Sequence, residues 1–205
     1  DVINRAEIGF HLIGIPFEDI QGKTVPTVFN TLTKGTDYDQ LSSKDVSSGK
    51  WLSYVGDSRF DQLSALSSCQ SYEIYVTNPA GVQFTLNGKL PSTRPVKNLV
   101  AGWNLIPSPV LAETPVNQAL AGLTAGADYD EIVRYNPASK TWTAVATCKP
   151  GEAYWIHTLA AKSWTFPTPR VQKTTTTFTY DGAGGRVKLS APEGTTTFVG
   201  SLYER

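Results

Sequence analysis

Phe10, Leu12, Ile13 and Ile15 make a compact apolar run that stops at Pro16, and Trp103, Leu105 and Ile106 make a second that stops at Pro107. Each reads as a strand, and proline closes it because it cannot donate to a ladder. Across residues 25–32, and again across 116–123, apolar positions fall at helical spacing instead. Pro26 and Pro115 stand where a first helical turn tolerates proline. Gly35 and Gly126 suit a helix C-cap, since glycine reaches positive φ without steric cost. Further strands are predicted around Trp51, Tyr75 and Phe84, and around Val133, Trp142, Trp155 and Trp164, with Gly49 and Asn136-Pro137 at turns.

The two halves of that pattern repeat one another. Ile8 to Pro16 aligns with Ala101 to Pro109, and Leu32-Thr33-Lys34-Gly35-Thr36-Asp37-Tyr38-Asp39 aligns with Leu123-Thr124-Ala125-Gly126-Ala127-Asp128-Tyr129-Asp130. Trp51 falls opposite Trp142, Ile74-Tyr75-Val76 opposite Tyr154-Trp155-Ile156, and Phe84-Thr85-Leu86 opposite Trp164-Thr165-Phe166. Matched blocks in one order are the mark of a duplicated unit. The first copy carries an insertion at residues 57–68. The expected fold is mainly β: two tandem small β domains of sandwich type, each with one short helix, in a pseudo-two-fold arrangement, plus a C-terminal β-hairpin. The expected boundaries are 1–92, 93–170 and 171–205.

Gly102-Trp103-Asn104-Leu105-Ile106, Trp142 and Gly151-Glu152-Ala153-Tyr154-Trp155-Ile156 give the second copy a fuller motif than the first, which has Phe10 for the opening Trp. This pattern resembles a β domain of bacterial extracellular proteins, over residues 6–167, and implies an accessory module without catalytic residues. The tail differs. Phe178-Thr179-Tyr180-Asp181-Gly182 through Lys188, followed by Thr195 to Glu204, resembles the YD repeat of Rhs-type proteins. In such proteins many repeats build a shell, and one repeat implies only a hairpin. Phe178, Tyr180, Val187 and Leu189 alternate with polar residues, so one face needs cover, from a sheet edge of this chain or of a second copy.

Composition narrows the function classes. Acidic and basic residues balance at 18 each, which leaves no electrostatic footprint for nucleic acid. No apolar run has the length of a membrane span. The chain opens at Asp1 and lacks Met, and the expectation is a processed or excised piece of an extracellular or cell-surface protein.

Candidate chemistry is sparse. Gly22-Lys23-Thr24 has Phe17 where a phosphate loop needs glycine, and Glu18-Asp19 would repel phosphate. Gly56-Asp57-Ser58 echoes a GDSL-type nucleophile block, yet neither His157 nor His11 has an Asp three residues earlier to complete a triad. Asp37, Asp39, Asp128 and Asp130 are candidate Ca²⁺ ligands, though each pair offers two side chains to an ion that takes six or more oxygens. Cys69, Cys148, His11 and His157 lack close ligand spacing for zinc. Cys69 and Cys148 each precede a closing strand and are candidates for a disulfide, with two buried thiols as the alternative.

Trp51, Trp142, Phe84 and Trp164 recur at matched positions and are expected in the core. Tyr54, Phe60 and Tyr135 lack aromatic counterparts and are the candidate ligand-binding residues. The reading is a non-catalytic structural or interaction module of a secreted or cell-surface bacterial protein, without a cofactor. Its partners would be other protein segments or a second copy joined by strand addition. The alternative is a carbohydrate-binding module that uses exposed aromatic rings.

Overall fold

A computed structural model describes residues 8–45, 48–137 and 139–167 in full, and the backbone of residues 2–6, 177–180, 186–191 and 194–197. Residues 1–169 form one compact unit and residues 170–205 another. The chain is mainly β, with several antiparallel sheets and, among the described residues, two short helices.

The first repeat runs β1 (Val2–Ala6), β2 (Gly9–Ile15), α1 (Val25–Val28), β3 (Tyr38–Lys44), β4 (Trp51–Tyr54), β5 (Gln70–Val76) and β6 (Val82–Leu86). The second runs β7 (Val96–Leu99), β8 (Gly102–Pro107), β9 (Thr114–Pro115), α2 (Val116–Ala119), β10 (Tyr129–Asn136), β11 (Thr141–Ala144), β12 (Thr147–Cys148), β13 (Ala153–Thr158) and β14 (Lys162–Thr165). The first four-stranded sheet has the order β2-β5-β3-β4 and the second β8-β13-β10-β11. Strand for strand these are the same order. In each repeat a further antiparallel pair, β1 with β6 or β7 with β14, closes the unit.

Ladder register makes the equivalence residue by residue. Gly9 pairs Val76 as Gly102 pairs Thr158, Ser42 pairs Ser53 as Val133 pairs Ala144, and Lys44 pairs Trp51 as Tyr135 pairs Trp142. Both third strands bulge at the same place, between Tyr38 and Gln40 and between Tyr129 and Glu131. Before each bulge an aspartate ties its turn: Asp37 Oδ2 accepts from Thr33 N, and Asp128 Oδ2 from Thr124 N, each at 2.7 Å. Tyr72 and Tyr154 likewise accept from Ser67 N and Lys149 N, at 2.7 and 2.6 Å.

Three expectations are corrected in detail. The closing strands align two residues away from the expected match, with Tyr72-Glu73-Ile74 standing opposite Tyr154-Trp155-Ile156. A shift of two preserves strand alternation, so the apolar pattern fits either alignment. The helices span only four residues each, and Pro115 precedes α2 in extended conformation. Gly35 and Gly126 do take positive φ, 84° and 78°. Their amides, however, donate to Tyr38 O and Tyr129 O, so they shape the turn into the third strand rather than cap a helix.

Each repeat has its own core on one face of its sheet. In the first, Ile13, Ile15, Leu41 and Ile74 meet Phe29 beside α1 and Phe84 of β6. Leu63 and Leu66 join this core from the expected insertion. In the second, Ile106, Ile132, Tyr154 and Ile156 meet Leu120 and Trp164. Phe84 and Trp164 are buried as expected. The other faces of the two sheets meet each other. Leu105, Val133 and Ala153 point away from the second core and are buried by the first repeat. Gly14 N donates to Gly151 O at 2.8 Å, and Ile13 bridges Glu152.

In the second unit β15 (Thr177–Tyr180), β16 (Arg186–Ala191) and β17 (Gly194–Thr197) form an antiparallel sheet of their own. The expected hairpin is present as β15 and β16, with Phe178 paired to Leu189. A third strand adds to it. Residues 181–185, expected as a glycine-rich turn, and residues 198–205 lie outside the described residues.

Candidate functional site

Strand alternation decides what lies on the shared faces. In β2 the core takes Ile13 and Ile15, so Phe10 and Leu12 turn the other way, beside Tyr75 and Glu73 of β5. In β8 the same logic places Trp103 and Leu105 beside His157 and Trp155 of β13. The edge strands β4 and β11 add Trp51 and Trp142 to this side, next to Lys44 and Tyr135.

Trp51 and Trp142 are therefore not core residues, contrary to the expectation; they are 39% and 53% exposed. Their matched positions reflect duplication of an edge strand, whose outer face has no strand beyond it to bury a ring. Four of the five tryptophans stand on the faces between the sheets, and only Trp164 is sealed in a core, its indole N–H donating to Ala121 O.

Two equivalent clefts result. In one, Phe10, Leu12, Glu73, Tyr135 and Trp142 line a cavity of about 230 Å³. Equivalence by register replaces these with Trp103, Leu105, Trp155, Lys44 and Trp51 in the other. There the Lys44 ammonium nitrogen lies over the Trp155 ring, 5.0 Å from its centre, and Trp51 meets that ring edge-on at 6.3 Å. This is cation–π geometry, a positive charge held against the negative face of an indole. The first cleft has a carboxylate where the second has the Trp155 ring, and a phenol where it has the lysine. Burial among these apolar neighbours raises the Glu73 carboxyl above its usual range.

Elsewhere the predicted site residues disperse. Tyr135 joins the first cleft, 5.2 Å from Trp142. Tyr54 packs against the first core, and Phe60 sits apart with Arg59 over its ring. The four aspartates have partners already. Asp37 Oδ1 accepts from Asn78, Asp39 meets Lys34, Asp128 meets Lys162 at 2.6 Å, and Asp130 meets His157 Nδ1 at 2.7 Å. Among the described residues no three His, Cys, Asp or Glu side chains gather as a metal set. Lys23 pairs with Asp19, and Asp57 of the Gly-Asp-Ser block chelates Arg59 within a turn.

Both cysteines are free thiols. Cys69 borders a cavity of about 440 Å³ with Glu18, Gln70 and Lys97. Burial pushes its thiol up to about 11, and that of Cys148 up to about 12. Burial brings Lys97 down to about 8, and its ammonium donates to Gln70 Oε1.

Sequence reasoning missed Phe10, Trp103, Glu73, Trp155 and Lys44. The available signal was alternation: each sits one residue out of phase with a core position. No protein-family model, curated protein or solved structure matches this chain.

Proposed function

We propose that the chain is a non-catalytic interaction module of a secreted or cell-surface bacterial protein, and that it holds its partner in the clefts between its two sheets. The observation that carries this reading is the display of Phe10, Trp51, Trp103 and Trp142 on the shared faces, each more than a third exposed. Clustered rings left partly in water mark a surface that another molecule covers. The edge strand β11 carries Trp142 at the open side of its sheet, which suits a partner that joins by strand addition, whereas on β4 the Ser53 carbonyl already accepts from the Gln62 and Leu63 amides. The resemblance of the second repeat to extracellular accessory domains, and of the tail to Rhs-type repeats, supports a place in a larger surface polypeptide.

The carbohydrate reading draws on the same rings. Against it, the ring pairs here are tilted by 46° to 67°, which makes pockets rather than a flat stacking platform.

Probing peptide, protein and glycan arrays with the full chain and with a Trp51→Ala/Trp142→Ala double variant tests the proposal. Retention of polypeptide ligands that the double variant loses supports it. Retention of glycans alone transfers the function to carbohydrate, and retention of nothing overturns it.

A further inference from the structure

The duplicated clefts act as a control for one another. In the second cleft the occupant is known, because the chain supplies it: the Lys44 side chain lies over Trp155, with Trp51 alongside. In the first cleft the position equivalent to Lys44 is Tyr135, whose ring turns to Trp142 at 5.2 Å, and a cavity of about 230 Å³ is left between them and Glu73. The position equivalent to Trp155 is Glu73. Its neighbours across the ladders are Leu12 and Ser42, and Tyr135 and Trp142 face it from the second sheet. Ser42 is engaged with Gln40 and Ser53 in a hydroxyl–amide network, and no ion-pair partner for Glu73 occurs among the described residues.

We infer that the Phe10–Leu12–Glu73–Tyr135–Trp142 cleft binds a lysine side chain presented by a partner polypeptide. This deepens, and rests on, the reading of the clefts as binding surfaces. Three features specify that ligand. The aromatic walls and Leu12 suit the four-carbon stem, which lysine buries along apolar surface while keeping its head polar. Glu73 and the ring faces together attract the ammonium, one by charge and the others by their quadrupoles. The open edge of β11 runs beside Trp142, so a strand added there directs alternate side chains towards the cleft side of the sheet. The carboxylate is also placed for the purpose, since an unpaired anion among apolar groups gains from any cation that reaches it.

The test is a titration followed by NMR at the tryptophan indole and backbone amides of the full chain. The probe is a short capped peptide with one central lysine, and its control has norleucine there, which keeps the stem and removes the charge. The expected result is a saturable shift centred on Trp142 and Glu73, about tenfold weaker for norleucine, a factor between those of an exposed and a fully desolvated cation–π contact. Glu73→Gln should weaken binding, and Trp142→Ala should abolish it. Lys44→Ala supplies a second check that does not depend on the first cleft: vacating the second should add a separate set of shifts at Trp155 and Trp51.

Equal binding of the norleucine peptide, or no lysine-dependent shift in either the parent or Lys44→Ala, overturns the proposal. Methylammonium chloride binding as tightly as the peptide overturns the polypeptide source. If the arrays retain Trp142-dependent partners while lysine peptides fail here, the interaction module stands and the ligand class falls.

Discussion

The amide of Gly14 in the first repeat donates to the carbonyl of Gly151 in the second at 2.8 Å, and the missing side chain of Gly14 lets the sheets approach this closely. A Cβ at Gly14 would overlap the Glu152 carbonyl oxygen and come within 3.0 Å of Pro107 Cα, both of them backbone. Backbone cannot swing aside as a side-chain tip can. Gly14→Ala is expected to cost about 1–3 kcal/mol, as overpacking at tight contacts does. A thermal melt of the variant beside the parent measures it, and an unchanged midpoint would mean the two faces do not meet here.

Substitution of two tryptophans should separate core from surface. Trp164 is enclosed with Phe166 at 4.7 Å, and Trp164→Ala is expected to lose about 3–5 kcal/mol in denaturant titration. Trp142 is half exposed, and Trp142→Ala is expected to stay within about 0.5 kcal/mol. Similar losses for both would return Trp142 to the core.

Glu73 gives a pH dependence whose sign is fixed. Burial raises its folded pKa above the unfolded value. Folding is therefore favoured by this group while it is protonated, and that advantage is lost as pH rises through the raised folded value. Glu73→Gln cannot ionise, so it should melt higher than the parent at neutral pH, with the gap closing below about pH 4, where both side chains are neutral. Melts at a series of pH values check this, and a neutral-pH midpoint below the parent's would show that the carboxylate is paired in the folded protein.

Thiol chemistry offers an independent check on both repeats. Cys69 and Cys148 are free, with thiols raised to about 11 and about 12 by burial. Thiolate is the reactive form, so native protein at pH 8 should react slowly, and denatured protein should yield two thiols per chain. A count of zero after denaturation would mean the sulfurs are bonded.

The duplication was legible because Asp37-Tyr38 and Asp128-Tyr129, Trp51 and Trp142, and the two opening strands keep both identity and order. Register was less so. Period-2 alternation is unchanged by a two-residue shift, so Ile74 could be matched to Ile156 or to Tyr154 with equal apolar fit. The motif asparagine was visible but its task was not. Asn104 ties the turn between β7 and β8, accepting from Val100 N and donating to Val100 O, Gly102 O and Thr158 Oγ1. Cys69 shows a further limit: its φ of 52° matches the 77° of Gly151, an equivalence no side-chain comparison suggests.

The clefts were the hardest to foresee. A ring repeated at matched positions fits a shared core as well as a shared surface. What separates the two is which face the other half of the chain covers, a long-range fact absent from any local window. Glu73 and Trp155 look unrelated as residues. Only the ladder register makes them counterparts, and with them Lys44 and Tyr135.

Hydrogen exchange at the five tryptophan indole N–H groups, followed by NMR, tests most directly whether the aromatic residues form a presented surface. The Trp164 indole, bonded to Ala121 O inside the second core, should exchange slowest by far. Those of Trp51, Trp103 and Trp142, each more than a third exposed, should exchange rapidly in the free protein. Protection of Trp51 and Trp142 to the level of Trp164 would place them in a core and contradict the interaction surface proposed for this chain.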